Sequence, residues 1–186
     1  ARRGNNGEKV VIEQINLQPL SPKEQKEVEE EVALLPSLNH RNLVAFLESF
    51  IGIESASLKL LCIVVEYADG GDLAQLLASR SVPPPTAEVY DLFGQVLLAM
   101  KYLHDKKVLH RDLKPASIFL TRDGVVKLGG LGVAPSKSLQ SSTTVHMSPC
   151  YTSPELFDDL PYKAPSDVWS LGCVLYELLT LRRAFE

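Results

Sequence analysis

The residues with the most chemistry to offer fall in one stretch, His110-Arg111-Asp112-Leu113-Lys114-Pro115-Ala116-Ser117-Ile118-Phe119-Leu120. Asp112 supplies a carboxylate able to act as a base, Lys114 an ammonium two residues later, and Ser117 a hydroxyl. Farther along, Gly129-Gly130-Leu131-Gly132 breaks the chain's apolar patterning, and Gly130 offers no side chain at all. Two more carboxylates stand out by position. Glu13 falls on the same strand parity as Val11, Ile15 and Leu17, and Glu31 lies beside the helical stripe Val28, Val32, Leu35. A carboxylate on an apolar face needs an explanation, because burial without a partner disfavours its charged form.

The elements that must position these groups follow from local signals. Asn5-Asn6-Gly7 reads as a hairpin turn leading into a strand over Val10 to Leu17. Ser21-Pro22-Lys23-Glu24 is a capping box with proline at the first helical position, and the helix is expected to run to about Leu35, where Pro36 ends it. Asn42 to Phe50 and Leu58 to Tyr67 read as a strand pair joined through Gly52 to Ser57. Asp69-Gly70-Gly71-Asp72 then leads into a short helix, Leu73 to Ala78. Pro83-Pro84-Pro85 is a stiff linker, after which Thr86 is expected to cap a long helix with Val89, Phe93, Val96, Leu97, Met100 and Leu103 at helical spacing. Thr121-Arg122-Asp123-Gly124 forms the turn of a small hairpin between Ile118–Leu120 and Val125–Leu128. Ser136 to Ser148 is polar and lacks periodicity, which reads as a mobile loop. Ser166 is expected to cap an almost wholly apolar helix, Asp167 to Leu179, buried in the larger part of the fold.

Bulk properties narrow the function classes. The 186 residues are 45% hydrophobic and 23% charged, the composition of an ordinary globular protein of about one domain. A net charge of -4 gives no electrostatic reason to expect nucleic acid or an anionic membrane as partner. The apolar runs Leu58 to Val65 and Leu171 to Leu181 are too short or too interrupted to span a bilayer. Cys62, Cys150 and Cys173 are odd in number and widely spaced, which argues against a disulfide framework or a zinc site and for a reduced, cytoplasmic compartment.

The opening stretch resembles the H-R-D-L-K-P-x-N loop of eukaryotic protein kinases, and Gly129 to Gly132 stands in the place of the family's D-F-G. Ser153-Pro154-Glu155 is similar to A-P-E, Asp167-Val168-Trp169-Ser170-Leu171-Gly172 to D-x-W-x-x-G, and Val65 to Leu73 to the hinge. Within the family, Cys150 to Leu156 and Gly172 to Leu181 look most like the NIMA-related serine/threonine kinases. The resemblance implies an α+β, two-lobed fold: a small β-rich lobe over residues 1–68 and a helical lobe over residues 69–186. Both lobes are expected to be incomplete, without the glycine-rich loop before Ala1 and without the helices after Glu186, so that Glu155 loses the arginine it pairs with in the family.

For the site, the resemblance implies Asp112 as base, with Lys114 and Arg111 beside it. It implies Val65, Phe119, Glu66 and Ala68 around adenine, the last two through their backbone, and Glu31 as the helix glutamate that pairs with a strand lysine. That lysine maps onto Glu13, so an ion pair has become two carboxylates expected to repel each other and triphosphate. Ser117 and Gly130 replace the two Mg²⁺ ligands. Ser141, Ser142, Thr143 and Thr144 fall in the activation segment, where a phosphate could pair with Arg111. Three readings follow. The chain is a pseudokinase working through protein partners, an active kinase using ATP and Mg²⁺ through an atypical metal site, or a truncated fragment without function.

Overall fold

A computed structural model describes residues 1–3, 7–55, 58–131, 149–158 and 160–185, and its architecture is α+β. Among these residues, those of 1–39 and 44–67 cluster as one unit, and those of 40–43, 68–131 and 149–185 as a second.

The first unit is a four-stranded antiparallel sheet ordered β1-β2-β4-β3 with one helix. Its strands are β1 (Arg2–Arg3), β2 (Glu8–Asn16), β3 (Phe46–Ser55) and β4 (Leu58–Glu66). The expected first turn falls on Asn5 and Asn6, outside the described residues; β1 pairs with β2 antiparallel in the register Arg2↔Lys9 and Arg3↔Glu8. Helix α1 (Pro22–Leu34) opens on the predicted capping box: the Ser21 hydroxyl accepts from the Glu24 amide, and the Glu24 carboxylate accepts from the Ser21 amide at 2.7 Å. A 3₁₀ turn, Leu35–Ser37, tightens its end at Pro36. Val28 and Val32 from α1 are buried against Leu17, which directly follows β2, and against Leu61 and Ile63 of β4. Each fully buried aliphatic side chain contributes roughly 1.5 to 3 kcal/mol, so this cluster holds the unit together.

The strand pair differs from expectation at both ends. Gly52 lies inside β3, paired with Leu60, rather than in the connection. Asn42 and Leu43 are not strand residues beside β4 but part of the second unit. The Asn42 amide donates to Gln95 Oε1 at 2.9 Å and to the Val126 carbonyl at 3.0 Å, and Leu43 forms a bridge with Leu128. A short polar side chain that satisfies buried groups has outweighed the local strand pattern.

The second unit contains helices α2 (Leu73–Ala78), α3 (Thr86–Asp105) and α4 (Ala164–Thr180) and the hairpin β5 (Ile118–Leu120) with β6 (Val126–Leu128). Asp72 caps α2 by accepting from the Gln75 amide at 2.8 Å. Thr86 and Ser166 are not caps. Pro85 and Lys163 occupy those positions, and in α4 Pro165, at the second helical position with its φ fixed, favours the earlier start. Helix α3 buries Val89, Leu92, Val96, Ala99, Met100 and Leu103, leaving Leu97 exposed. Helix α4 is buried on one face only: Cys173, Val174 and Leu178 point inward, whereas Val168, Tyr176 and Leu179 are exposed. No helix among the described residues is long and apolar enough to cross a membrane.

Candidate functional site

The loop that carries Asp112 is built around two buried groups, His110 and Asp167. His110 is fully buried, and burial pushes its pKa below the usual imidazole value, so it is neutral. Its Nδ1 accepts from the Asp112 amide at 3.4 Å, which leaves the proton on Nε2 to donate to the Gly129 carbonyl at 3.0 Å. One ring thus couples the Asp112 loop to the glycine segment.

Asp167, in the first turn of α4, is also fully buried. Its carboxylate accepts from the amides of His110 and Arg111, each at 3.1 Å, from His104 Nε2 at 2.7 Å and from the Tyr162 hydroxyl. Since a carboxylate only accepts, His104 must carry its proton on Nε2. Arg111 needs this grip because its φ of 67° lies in the left-handed region, at a cost of about 1 to 3 kcal/mol for a residue with a Cβ. In the sequence Asp167 stands out only as part of a motif. The signal for its role was an acid at the start of an otherwise apolar helix.

With the loop so fixed, Lys114 Nζ reaches Asp112 Oδ2 at 2.7 Å, both side chains being partly exposed. Arg111, Asp112 and Lys114 therefore share one loop, as expected. Ser117 sits 4% exposed in the 3₁₀ turn that follows, and its hydroxyl is engaged on both sides: it donates to the Lys114 carbonyl at 2.8 Å and accepts from the Lys114 amide at 3.1 Å. Gly130 has φ +65°, and a Cβ there would meet Ser117 Cβ at 3.5 Å, an ordinary contact. Space is therefore available for a side chain at 130, but the backbone favours glycine.

A cavity of about 390 Å³ opens beside this loop, lined by Leu77, Lys114, Ala116, Tyr151, Glu177 and Arg183 among others. The Tyr151 hydroxyl donates to Glu177, and the desolvated phenol is pushed well above its ordinary pKa. Glu155 accepts from the Ser166 hydroxyl, which holds its carboxyl below the usual range. Phe119 is half-buried on β5 opposite Lys127, and Ala68 is half-buried at the start of this unit's main segment.

The other candidate residues belong to the first unit. Glu13 stands opposite Ile63 in the β2–β4 register, with Val11 opposite Val65 and Ile15 opposite Leu61, so the predicted parity is correct and Glu13 shares the face of the buried cluster. The residue as a whole is exposed, yet burial around its carboxyl pushes the pKa above the usual value of 4.5. Glu31 is half-buried on α1, between Val28 and Val32. Glu66 is fastened to Ala45, the residue before β3, by its own amide, which donates to the Ala45 carbonyl at 2.9 Å, and by its carboxylate, which accepts from the Ala45 amide at 2.8 Å. Ser141, Ser142, Thr143 and Thr144, and the loop expected over Ser136 to Ser148, lie outside the described residues.

Residues 1–186 match the protein kinase domain family. The chain is 43% identical over 184 residues to mouse serine/threonine-protein kinase Nek1, covering 97% of this chain and 15% of that protein. It is 40% identical over 186 residues to mouse serine/threonine-protein kinase Nek4, covering 97% and 23% respectively. It is 39% identical over 197 residues to serine/threonine-protein kinase nekl-2 of Caenorhabditis elegans, covering 99% and 54%. The chain thus spans between a seventh and about half the length of these relatives. The loop of His110 and Asp112, the glycine segment tied to it, and a match that runs from the first residue to the last place the chain in the protein kinase family, among its NIMA-related members.

Proposed function

We propose that this NIMA-related protein kinase domain works by engaging protein partners and does not transfer phosphate effectively. The observation that carries the reading is the state of Ser117, whose hydroxyl closes its own turn against the Lys114 backbone, next to a Gly130 that has no side chain. Mg²⁺ is held by hard oxygen donors, carboxylates above all, in near-octahedral geometry. A neutral hydroxyl already bonded on both sides and a bare glycine do not fit that ion. No phosphoryl-transfer step is therefore derived through it. Glu13, in the position of the family's strand lysine, adds a negative charge where triphosphate requires a positive one. Removing one preorganised contact costs about 10²- to 10³-fold in rate, and these changes fall on one interdependent cluster.

A second reading has one observation in its favour. The Asp112–Lys114 pair is intact at 2.7 Å, on a loop whose His110 and Arg111 amides are held by Asp167. On that reading the chain is an ATP- and Mg²⁺-dependent serine/threonine kinase, with nucleotide against Val65, Glu66, Ala68 and Phe119. Either way the partners are proteins, and the net charge of -4 supports neither nucleic acid nor an anionic membrane. The reduced cysteines support a cytoplasmic setting. Nucleotide binding with and without Mg²⁺, and phosphate transfer to a generic protein substrate, distinguish the readings. The expected result is transfer no faster than that of an Asp112→Asn control. Mg²⁺-dependent transfer that Asp112→Asn abolishes would overturn the proposal.

A further inference from the structure

Helix α4 turns its charged groups inward. It has two: Asp167, fully buried against the His110 and Arg111 amides, and Glu177, which accepts from the Tyr151 hydroxyl. What remains faces outward. Pro165, Val168, Gly172, Tyr176 and Leu179 are exposed, and their steps of three, four, four and three residues place them on one stripe along the helix. Val168 is 58% exposed, Tyr176 45% and Leu179 49%. Trp169 borders the stripe, and Phe185 stacks on its ring at 5.3 Å with the planes 14° apart, adding a half-exposed aromatic to the same surface. Single exposed apolar residues are ordinary on a protein surface, but about four turns of helix without an exposed charge mark an interaction face.

We propose that the outward face of α4 is a dimerisation surface, packed on the same face of a second copy of this chain, whether or not the chain transfers phosphate. The stripe is self-complementary about its middle. A Cβ added at Gly172 would meet nothing within 4 Å, so the helix is thinnest there and two copies can cross with their axes close. With the two-fold axis at Gly172 and the helices antiparallel, Val168 lies against the partner's Tyr176 and Pro165 against the partner's Leu179, and the reverse contacts follow by symmetry. The surfaces match in charge as well as in shape, since neither carries any on α4 and the pairing desolvates none there. Size sets the strength. A helix of 17 residues is about 26 Å long. One face of it, ridged by side chains and widened by Phe185, gives up on the order of 500 Å², and a pair about 1,000 Å², enough for a reversible dimer and well short of an obligate one.

The test is sedimentation equilibrium of the whole chain from low to high micromolar concentration, at low and high salt, with cysteine cross-linking to read the register. The expected result is a monomer–dimer equilibrium whose dissociation constant does not rise with salt, because apolar contact is not screened. Val168→Glu puts a charge under the contact and weakens association about tenfold or more, while the circular dichroism of the monomer stays that of the parent. Under mild oxidation Gly172→Cys joins to itself between copies, and peptide mapping places the bond at residue 172. Val168→Cys and Tyr176→Cys join to each other when the two variants are mixed, and neither joins to itself at that position, being about 12 Å out of register along the axis. The proposal is overturned by a chain that stays monomeric throughout, as it does if another segment or a different protein covers the face. It is equally overturned by association that runs on past two copies, by a dimer that Val168→Glu leaves intact, or by one in which Gly172→Cys is not joined at residue 172.

Discussion

Replacing Asp167 by asparagine removes one charge and keeps the shape, and its cost can be worked from the hydrogen bonds. Oδ2 accepts from His104 Nε2 at 2.7 Å and from the His110 amide at 3.1 Å, and Oδ1 from the Arg111 amide at 3.1 Å and from Tyr162. An asparagine has one carbonyl oxygen and one NH₂, so in either orientation one backbone amide, of His110 or Arg111, faces a donor, whereas the Tyr162 hydroxyl or the other tautomer of His104 can switch to accepting. A buried donor left unsatisfied costs about 1 to 3 kcal/mol. Domains are stable by only about 5 to 15 kcal/mol, so Asp167→Asn removes a large share of the margin. Urea unfolding followed by the fluorescence of Trp169, the single tryptophan and two residues from the substitution, reads it directly. With slopes of about 1 to 3 kcal/mol per molar urea, the midpoint should fall by about 0.3 to 3 M. A loss below about 1 kcal/mol would show that the carboxylate is not what holds the loop. A parent chain that shows no cooperative transition at all would instead favour the reading of a non-functional fragment.

Two other predictions rest on single positions. A Cβ at Gly70 would lie 2.8 Å from the Leu120 carbonyl oxygen and from Thr121 carbonyl carbon, both backbone atoms, so Gly70→Ala should destabilise by about 1 to 3 kcal/mol in thermal denaturation; an unchanged melting temperature would contradict this packing. Glu13 has a folded-state pKa raised above 4.5, so folding favours its protonated form, and the stability it contributes is full below about 4.5 and is lost as pH rises through the folded value. Glu13→Gln should therefore gain stability relative to the parent as pH is raised from 4 to 7 in matched urea titrations, and a difference that does not change with pH would refute the assignment.

What could be read from the chain before its structure was decided by how local the cause was. The capping box at Ser21 and Glu24, the β5–β6 hairpin and the parity that puts Glu13 among Ile15 and Leu17 depend on neighbours a few residues away, and each is found as expected. Asn42 misled because its partners, Gln95 and Val126, are far along the sequence. Thr86 misled by one residue and Ser166 by three, since hydroxyls at positions inside a helix start look the same in sequence as those at the cap. In the candidate site, the substitutions at Ser117 and Gly130 were legible, but the use of the Ser117 hydroxyl was not. Only the turn geometry shows that both its donor and an acceptor lone pair are spent on Lys114.

The excursion of residues 40–43 into the second unit also has a consequence during synthesis. Asn42 emerges 84 residues before Val126, the carbonyl its side chain will bond, and Leu43 likewise awaits Leu128. At about 5 to 20 residues per second, the ribosome leaves this stretch without its partners for roughly 4 to 17 s, far longer than a loop of that size needs to close. The flanking strand β3 can pair with β4 well before then. Slowing translation between residues 67 and 126 should thus lengthen the exposure of Leu43, otherwise 2% exposed, to chaperones without delaying the sheet.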